Sequence, residues 1–352
     1  MTKIKSAKIT IGISIGDPNG IGLEVVLKTL VDNRILELFT PVLFGSKKLI
    51  LGQTKELHLQ DLRFNFIQSV ADVKSAQINV ISVCDEAFTS SFGKEASDAG
   101  RIAFESLQAA TASLKLKEID ALVTAPIHKK AIQSDAFEFP GHTEYLQDAD
   151  GATDSLMLML SDSARIGVVT GHMPLNEVGS KLTSELILAK ISILNKSLKE
   201  DFNIRKPRIA VMGLNPHAGD NGLLGKEEQD VIIPAINQAK SIGTLVFGPY
   251  AADGFFGSST YTQFDGILAM YHDQGLIPAK TFSFGSGVNF TAGLSFVRTS
   301  PDHGTAFEIA GKGEANEGSF RTAIYKAIEL TKNRELNLEL AAGAMVVNKS
   351  RN

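Results

Sequence analysis

The 352-residue chain carries seven histidines, His58, His128, His142, His172, His217, His272 and His303, and three of them share one context. His172 follows IGVVTG, His217 follows IAVMGLNP and His272 follows ILAMY. Each stands just beyond a short apolar run of the kind that forms a buried strand. Where such strands lie parallel, their carboxyl ends border the crevice in which α/β proteins bind ligands. Three imidazoles converging there make a site for a divalent metal, because neutral imidazole suits Zn, Co, Ni or Fe. Three protein ligands also leave a coordination position open, as catalysis requires. The nearby acids Asp273 and Asp253 would orient the ligands or join them. A single histidine after a strand is more often a loop or capping residue, and Asp273 alone reads as a solvated acid. The threefold repetition is what favours a shared metal.

Other stretches carry groups suited to anions. GDPNGIG, residues 16–22, lies between a strand and a helix and has strong turn chemistry at Asp17, Pro18, Asn19 and Gly20. It reads either as a tight strand-to-helix turn or as a place where backbone approaches a ligand at a helix N-terminus. It does not spell G-x-G-x-x-G, and no G-K-[ST] follows. FPGHTEYL, residues 139–146, puts His142 and Thr143 at the start of a helix, where they act as an ordinary cap or as donors to an anion. Lys280, Asn289 and Arg298 are spaced through a glycine-containing segment beyond YHDQG. Singly they are surface polar groups; together they can clamp a phosphate or carboxylate.

These residues must be positioned by elements that alternate along the whole chain. KITIGISIG reads as a strand, because Ile9, Ile11, Ile13 and Ile15 alternate with Thr10, Gly12 and Ser14. A helix follows over about Gly22–Leu30, then a strand at 40–45. Residues 96–117 place Ile102, Leu107, Ala110 and Leu114 on one helical face, and DALVTAP then reads as a strand. ARIGVVTG is a strand, and 183–198 is a helix capped by Thr183 or Ser184. RIAVMG and FDGILAM are strands, and 318–331 is a closing helix. The stretch 246–316, rich in glycine and polar residues, reads as a long irregular and therefore functional region. The alternation predicts an α/β protein with a largely parallel sheet.

Composition narrows the function classes. With 43% hydrophobic and 21% charged residues and a net charge of −4, the chain is an ordinary globular protein without the basic block of a nucleic-acid binder. A single cysteine, Cys84, excludes an internal disulfide and a cysteine-rich metal site. No run of 18 apolar residues predicts a membrane span, and the N-terminal pattern is a strand rather than a signal peptide, so the expected location is the cytoplasm.

Taken together, GDPNGIGLE, TAPIHK, FPGHTEYL, VVTGHMPL, LNPHAGDNGLLGKEE, GPYAADGFF, YHDQGLIPAK and GVNFTAGLSFVRTSPDHGTAFEIAGKGEAN resemble the signature blocks of the 4-hydroxythreonine-4-phosphate dehydrogenase (PdxA) family, in the right order and over nearly the whole chain. The resemblance implies NAD- or NADP-dependent oxidation of 4-phosphooxy-L-threonine. The 3-oxo product then loses CO2 to give 3-amino-2-oxopropyl phosphate, in vitamin B6 synthesis. It implies two α/β subdomains within one catalytic region, 1–352, similar to isocitrate and isopropylmalate dehydrogenases, with the active-site cleft between them. It further implies a homodimer whose metal site lies at the interface, with histidines from both subunits. By motif, the metal ligands fall on His172, His217 and His272. The substrate contacts fall on His142, Thr143, Lys280, Asn289 and Arg298, and an acid near the metal falls on Asp253. The first block departs from the usual GDPAGIGPE at Asn19 and Leu23, which removes neither a ligand nor a charge.

Two alternatives stay open at this level. A related enzyme on the same scaffold would oxidise D-threonate or D-erythronate 4-phosphate, differing only in the group at C2. A non-catalytic sugar-phosphate binding protein would use the same clamp without turnover. Zn or Co suits three imidazoles best, with Mg or Mn as the other candidates. NAD and NADP are not distinguished, and cofactor contacts are not assigned.

Overall fold

A computed structural model describes residues 8–84 and 87–343. Its strands are β1 (Ile9–Ser14), β2 (Phe39–Gly45), β3 (Phe64–Ile67), β4 (Ile78–Ser82), β5 (Ala121–Thr124), β6 (Leu156–Leu160), β7 (Arg165–Val168), β8 (Arg208–Met212), β9 (Leu245–Tyr250), β10 (Gly266–Ala269), β11 (Val288–Ala292) and β12 (Val297–Pro301). They form one twelve-stranded sheet in the order β3-β4-β2-β1-β5-β12-β11-β6-β7-β10-β8-β9. From β3 to β12 every pairing is parallel, and so is every pairing from β7 to β9. Between these blocks β11 and β6 run antiparallel to their neighbours. The sheet therefore joins two parallel blocks through an antiparallel seam. The expected mixed α/β class with a largely parallel sheet is what the chain adopts.

The parallel strands are apolar on both faces because helices cover both. Ile11 and Ile13 in β1, Leu43 in β2 and Val123 in β5 are fully buried. The helix Ser97–Lys115 covers β1, β2 and β5 with Ile102, Leu107 and Ala110 inward, and the helix Gly318–Gly343 packs on β12 and β5. Thr183 caps the helix Ser184–Glu200 by accepting a hydrogen bond from the Leu186 N–H, one of the two caps expected. Among the described residues, no helix is long and apolar enough to cross a membrane.

Two sequence expectations are corrected. The stretch 246–316 is not irregular: it holds most of β9, then β10, β11 and β12 and the helices Ala252–Phe256 and His272–Ser283. Several of its glycines mark close packing rather than loops. A Cβ at Gly266 would come 2.8 Å from Leu198 Cδ1, and one at Gly275 would come 2.7 Å from Val168 Cγ1. The closing helix, expected to end near 331, continues to Gly343. Its extra turns are held by side chains: Asn333 donates to the Asp201 carbonyl, Arg334 pairs with the Asp201 carboxylate, and Asn337 donates to the Glu200 carbonyl.

Candidate active site

The histidine beyond β10 opens the helix His272–Ser283. Two hydrogen bonds from Gln274 fix this start: its Oε1 accepts from the Met270 N–H at 2.7 Å, and its Nε2 donates to the Gly213 carbonyl at 2.6 Å. Gly275 has no side chain, so the helix lies against Val168, Ala269 and Ile166 of β7 and β10. That close approach brings His272 beside His172, which follows the adjacent strand β7; the two rings are 5.2 Å apart. Asp273 Oδ1 lies 2.7 Å from His272 Nδ1. With the Nδ1 proton donated to that carboxylate, the Nε2 lone pair of His272 is free. Burial, the Lys129 ammonium and His272 hold His172 below the ordinary imidazole range, so His172 is neutral at pH 7.

The same cavity, of about 250 Å³, is lined by His142, Thr143, Lys280, Asn289 and Arg298 as well as by the histidine pair. The latter three are not spread through a loop, as the sequence had implied. Lys280 is on the helix His272–Ser283, Asn289 on β11 and Arg298 on the neighbouring β12. Arg298 is 2% exposed, and its guanidinium meets only hydroxyls: Nη2 donates to Thr124 Oγ1 at 2.6 Å and Nη1 to Thr291 Oγ1 at 3.2 Å. Among the described residues no carboxylate lies within ion-pair distance of it. Burial pushes its pKa down to about 10, Glu144 acting the other way from longer range. It remains a cation at neutral pH. A buried cation with no anionic partner is costly unless an anion joins it.

Among the described residues, three further buried polar atoms of the cavity lining lack partners, His142 Nε2, Asn289 Oδ1 and His303 Nε2. Burial, aided by Arg298 and Lys129, holds His142 well below the usual imidazole range. A neutral ring protonated on Nε2 donates to an anion. The Asn289 amide can turn to present its N–H. Gly141, His142, Thr143 and Glu144 also line the cavity at the start of the helix His142–Asp150, which has no side-chain cap. Its first backbone N–H groups are oriented for an anion.

His217 and Asp253 lie elsewhere. They border a second cavity of about 700 Å³, with Asp273 and with Leu214, Phe256 and Ile277. The two cavities meet across one helix start, where His272 serves the first and Asp273 the second. His217 opens a run of left-handed backbone, with φ of 51° at His217, 51° at Ala218, 42° at Asp220 and 54° at Asn221. Non-glycine residues adopt that conformation only where the surroundings enforce it. The segment just before this run is anchored by Glu228, whose buried carboxylate accepts from the N–H groups of Leu214 and Asn215, both at 2.8 Å, and from Asn215 Nδ2 at 2.9 Å. Among the described residues no group of three or more His, Cys, Asp or Glu side chains is close enough to hold a metal ion. One chain thus brings two of the three predicted metal ligands together.

Some residues of the cavity carried no signal of their own within the TAPIHK and TSPDHG stretches. Lys129 Nζ is 3.4 Å from His172 Nε2. Asp302, His303 and Thr124 reach the cavity only because β5 and β12 are neighbours. The GDPNGIG turn contributes no side chain to the wall. Asn19 instead ties down residues 91–94, and the Ile21 N–H donates to the Thr305 carbonyl at 3.0 Å.

The fold and the cavity define a mixed α/β protein with a buried arginine in one cavity with a pair of histidines. The chain belongs to the PdxA family: residues 37–327 match the family described as pyridoxal phosphate biosynthetic protein PdxA. It is 49% identical over 329 residues to a 4-hydroxythreonine-4-phosphate dehydrogenase of Bacteroides thetaiotaomicron, covering 93% of this chain and 90% of that one. The crystal structure of a 4-hydroxythreonine-4-phosphate dehydrogenase from Klebsiella pneumoniae matches with a TM-score of 0.80 at 34% identity, over 92% of this chain and 100% of that one. The fold is also shared with isocitrate dehydrogenase from Methylococcus capsulatus, with a TM-score of 0.51 at 12% identity, over 95% of this chain and 89% of that one.

Proposed function

We propose that this chain oxidises the secondary alcohol of 4-phosphooxy-L-threonine with NAD or NADP, giving a 3-oxo acid that loses CO2 to leave 3-amino-2-oxopropyl phosphate. The observation that carries the reading is Arg298, a buried cation without an anionic partner among the described residues, in the same cavity as the His172–His272 pair. A phosphate there would satisfy the guanidinium, His142, Asn289 and the open N-terminus of the helix His142–Asp150 at once. Thr143, in that first turn, adds a hydroxyl. Lys280, loosely paired with Asp302 at 3.6 Å, would turn to the substrate's carboxylate. Held at both ends, the substrate presents its middle carbons between the clamp and the histidines, and such positioning is worth up to roughly 7–11 kcal/mol in ideal cases. Met157, Met159, Ile127 and Leu276 give the wall apolar surface that excludes water.

The donor set fits a divalent metal, zinc or cobalt by its imidazoles. His172 is neutral, and a His272 that donates its Nδ1 proton to Asp273 would present its Nε2 lone pair. These two would hold the ion, with His217 and Asp253 of a second copy completing its ligands. When bound, the metal would supply Lewis acidity to the substrate's oxygens. The buried Nε2 of His303, which lacks a partner on the cavity wall, fits a hydrogen-bonding cofactor, and the dinucleotide would supply the hydride acceptor. A homodimer is supported by apolar side chains beside each histidine. Leu175, Leu223 and Ile277 are 71%, 78% and 65% exposed and sit close in sequence to His172, His217 and His272.

The test is to mix the protein with 4-phosphooxy-L-threonine and NAD+ or NADP+, with and without added zinc, cobalt, magnesium or manganese, and follow absorbance at 340 nm. Metal-dependent reduction is expected. No reduction under any of these conditions overturns the reading.

A further inference from the structure

Two carboxylates stand on the wall of the cavity, and they keep different company. Glu144, in the first turn of the helix His142–Asp150, acts on Arg298 and His172. Asp302, just beyond β12, faces Lys280, His303 and His272. Its backbone is pinned: its N–H donates to Ser319 Oγ at 3.0 Å, and Ser319 donates to the Gly287 carbonyl at 2.6 Å. Gly287 also makes room for the carboxylate, because a Cβ there would come 3.1 Å from Asp302 Oδ2. The carboxylate's ion-pair partner is Lys280, with Nζ 3.6 Å from Oδ1. That is longer than the roughly 2.7–2.9 Å of a tight charge-assisted hydrogen bond. A carboxylate offers about four acceptor positions, so most of this one's capacity is unused. Burial raises its pKa, while Lys280 and the two histidines oppose that rise.

We infer that Asp302 receives the α-ammonium of the substrate while Lys280 takes the adjacent carboxylate, so that Asp302 selects an amino acid phosphate over a hydroxy acid phosphate. The inference rests on the function proposed above. An α-amino acid carries ammonium and carboxylate on one carbon, and the Lys280–Asp302 pair presents the opposite charges side by side. Binding exchanges one loose ion pair for two complementary ones. A 2-hydroxy acid brings no cation. If Lys280 turns to its carboxylate, Asp302 is left half-buried and unpaired, and a site with a stranded polar group rejects the ligand that strands it. Glu144 does not serve as well, because its field is directed at the Arg298 end, where the phosphate is held.

The experiment measures binding of 4-phosphooxy-L-threonine and of D-threonate 4-phosphate to the full-length protein by titration calorimetry, alongside turnover at 340 nm. Wild type is expected to prefer the amino acid. Asp302→Asn should shrink that preference by at least about tenfold, mainly by weakening the amino acid. Asp302→Glu, which keeps the charge, should retain the preference at lower affinity and serves if the amide variant fails to fold. Lys280→Ala should weaken both ligands, since both carry the carboxylate. A wild type with no preference, or an Asp302→Asn protein that loses both ligands equally, overturns the inference; the latter would make Asp302 only a support for Lys280. Wild-type turnover with neither compound overturns the proposed function instead, and the binding ratio still decides the role of Asp302.

Discussion

Arg298 shows how one residue's surroundings specify a ligand. Its partners are the hydroxyls of Thr124 and Thr291, which satisfy donors but not charge. Arg298→Ala should therefore raise the KM for the phosphorylated substrate by about 100-fold or more and leave that for the dinucleotide within about threefold. Steady-state kinetics with each substrate varied in turn checks this, and an equal rise in both would remove the clamp. His142 makes a second prediction at this scale. Its pKa is held far down in the folded protein, so as pH falls through about 6.5 the unfolded chain takes up a proton that the folded chain refuses. This group's contribution is intact above that pH and is lost progressively below it, by up to about 1.4 kcal/mol per pH unit. Melting curves between pH 8 and pH 5 should show Tm falling less steeply in His142→Asn than in wild type.

At the scale of elements, the site depends on how closely the helix His272–Ser283 approaches β7 and β10. Gly275→Ala would push a methyl against Val168 and lift that helix from the sheet. The expected loss is about 1–3 kcal/mol of stability, together with weaker binding of zinc, measured by competition with a chromophoric chelator. A lower Tm with unchanged zinc affinity would show that the helix position does not set the His172–His272 pair. The left-handed turn that carries His217 is different in kind. Residues 214 and 215, just before it, are held by Glu228 through backbone and amide hydrogen bonds. The turn places His217 on a different cavity from the histidine pair, which nothing periodic in the sequence records.

The whole molecule raises the question of where the third metal ligand comes from. His172 and His272 line one cavity and His217 another, so a complete ligand set requires a second copy if all three act together. His172→Ala and His217→Ala chains should each be inactive alone. Co-expressed, random pairing places one intact site in half of the dimers, so about a quarter of wild-type activity should return. No recovery, with mixed dimers demonstrated by differential tagging, would place all three ligands in one chain.

Much of this was legible in the sequence. Alternating apolar runs and helical faces implied the α/β class, because strands buried on both faces and amphipathic helices each leave a periodic trace. The three histidines were visible because each follows such a run. The cavity residues His142, Thr143, Lys280, Asn289 and Arg298 were nameable from their motifs, yet their placement was not. Lys280, Asn289 and Arg298 read as one loop and turned out to occupy a helix and two strands. Glycines that looked like loop residues proved to be contact points, since a sequence does not record which neighbour a missing side chain admits. What the tertiary structure alone decided was company. Among the described residues, it left Arg298 without a carboxylate, set Asp302 loosely against Lys280, joined His172 to His272, and put His217 on another cavity. Those are relations between segments as many as 174 residues apart, as for Arg298 and Thr124. Strand order and packing create such relations, and no local pattern along the chain encodes them.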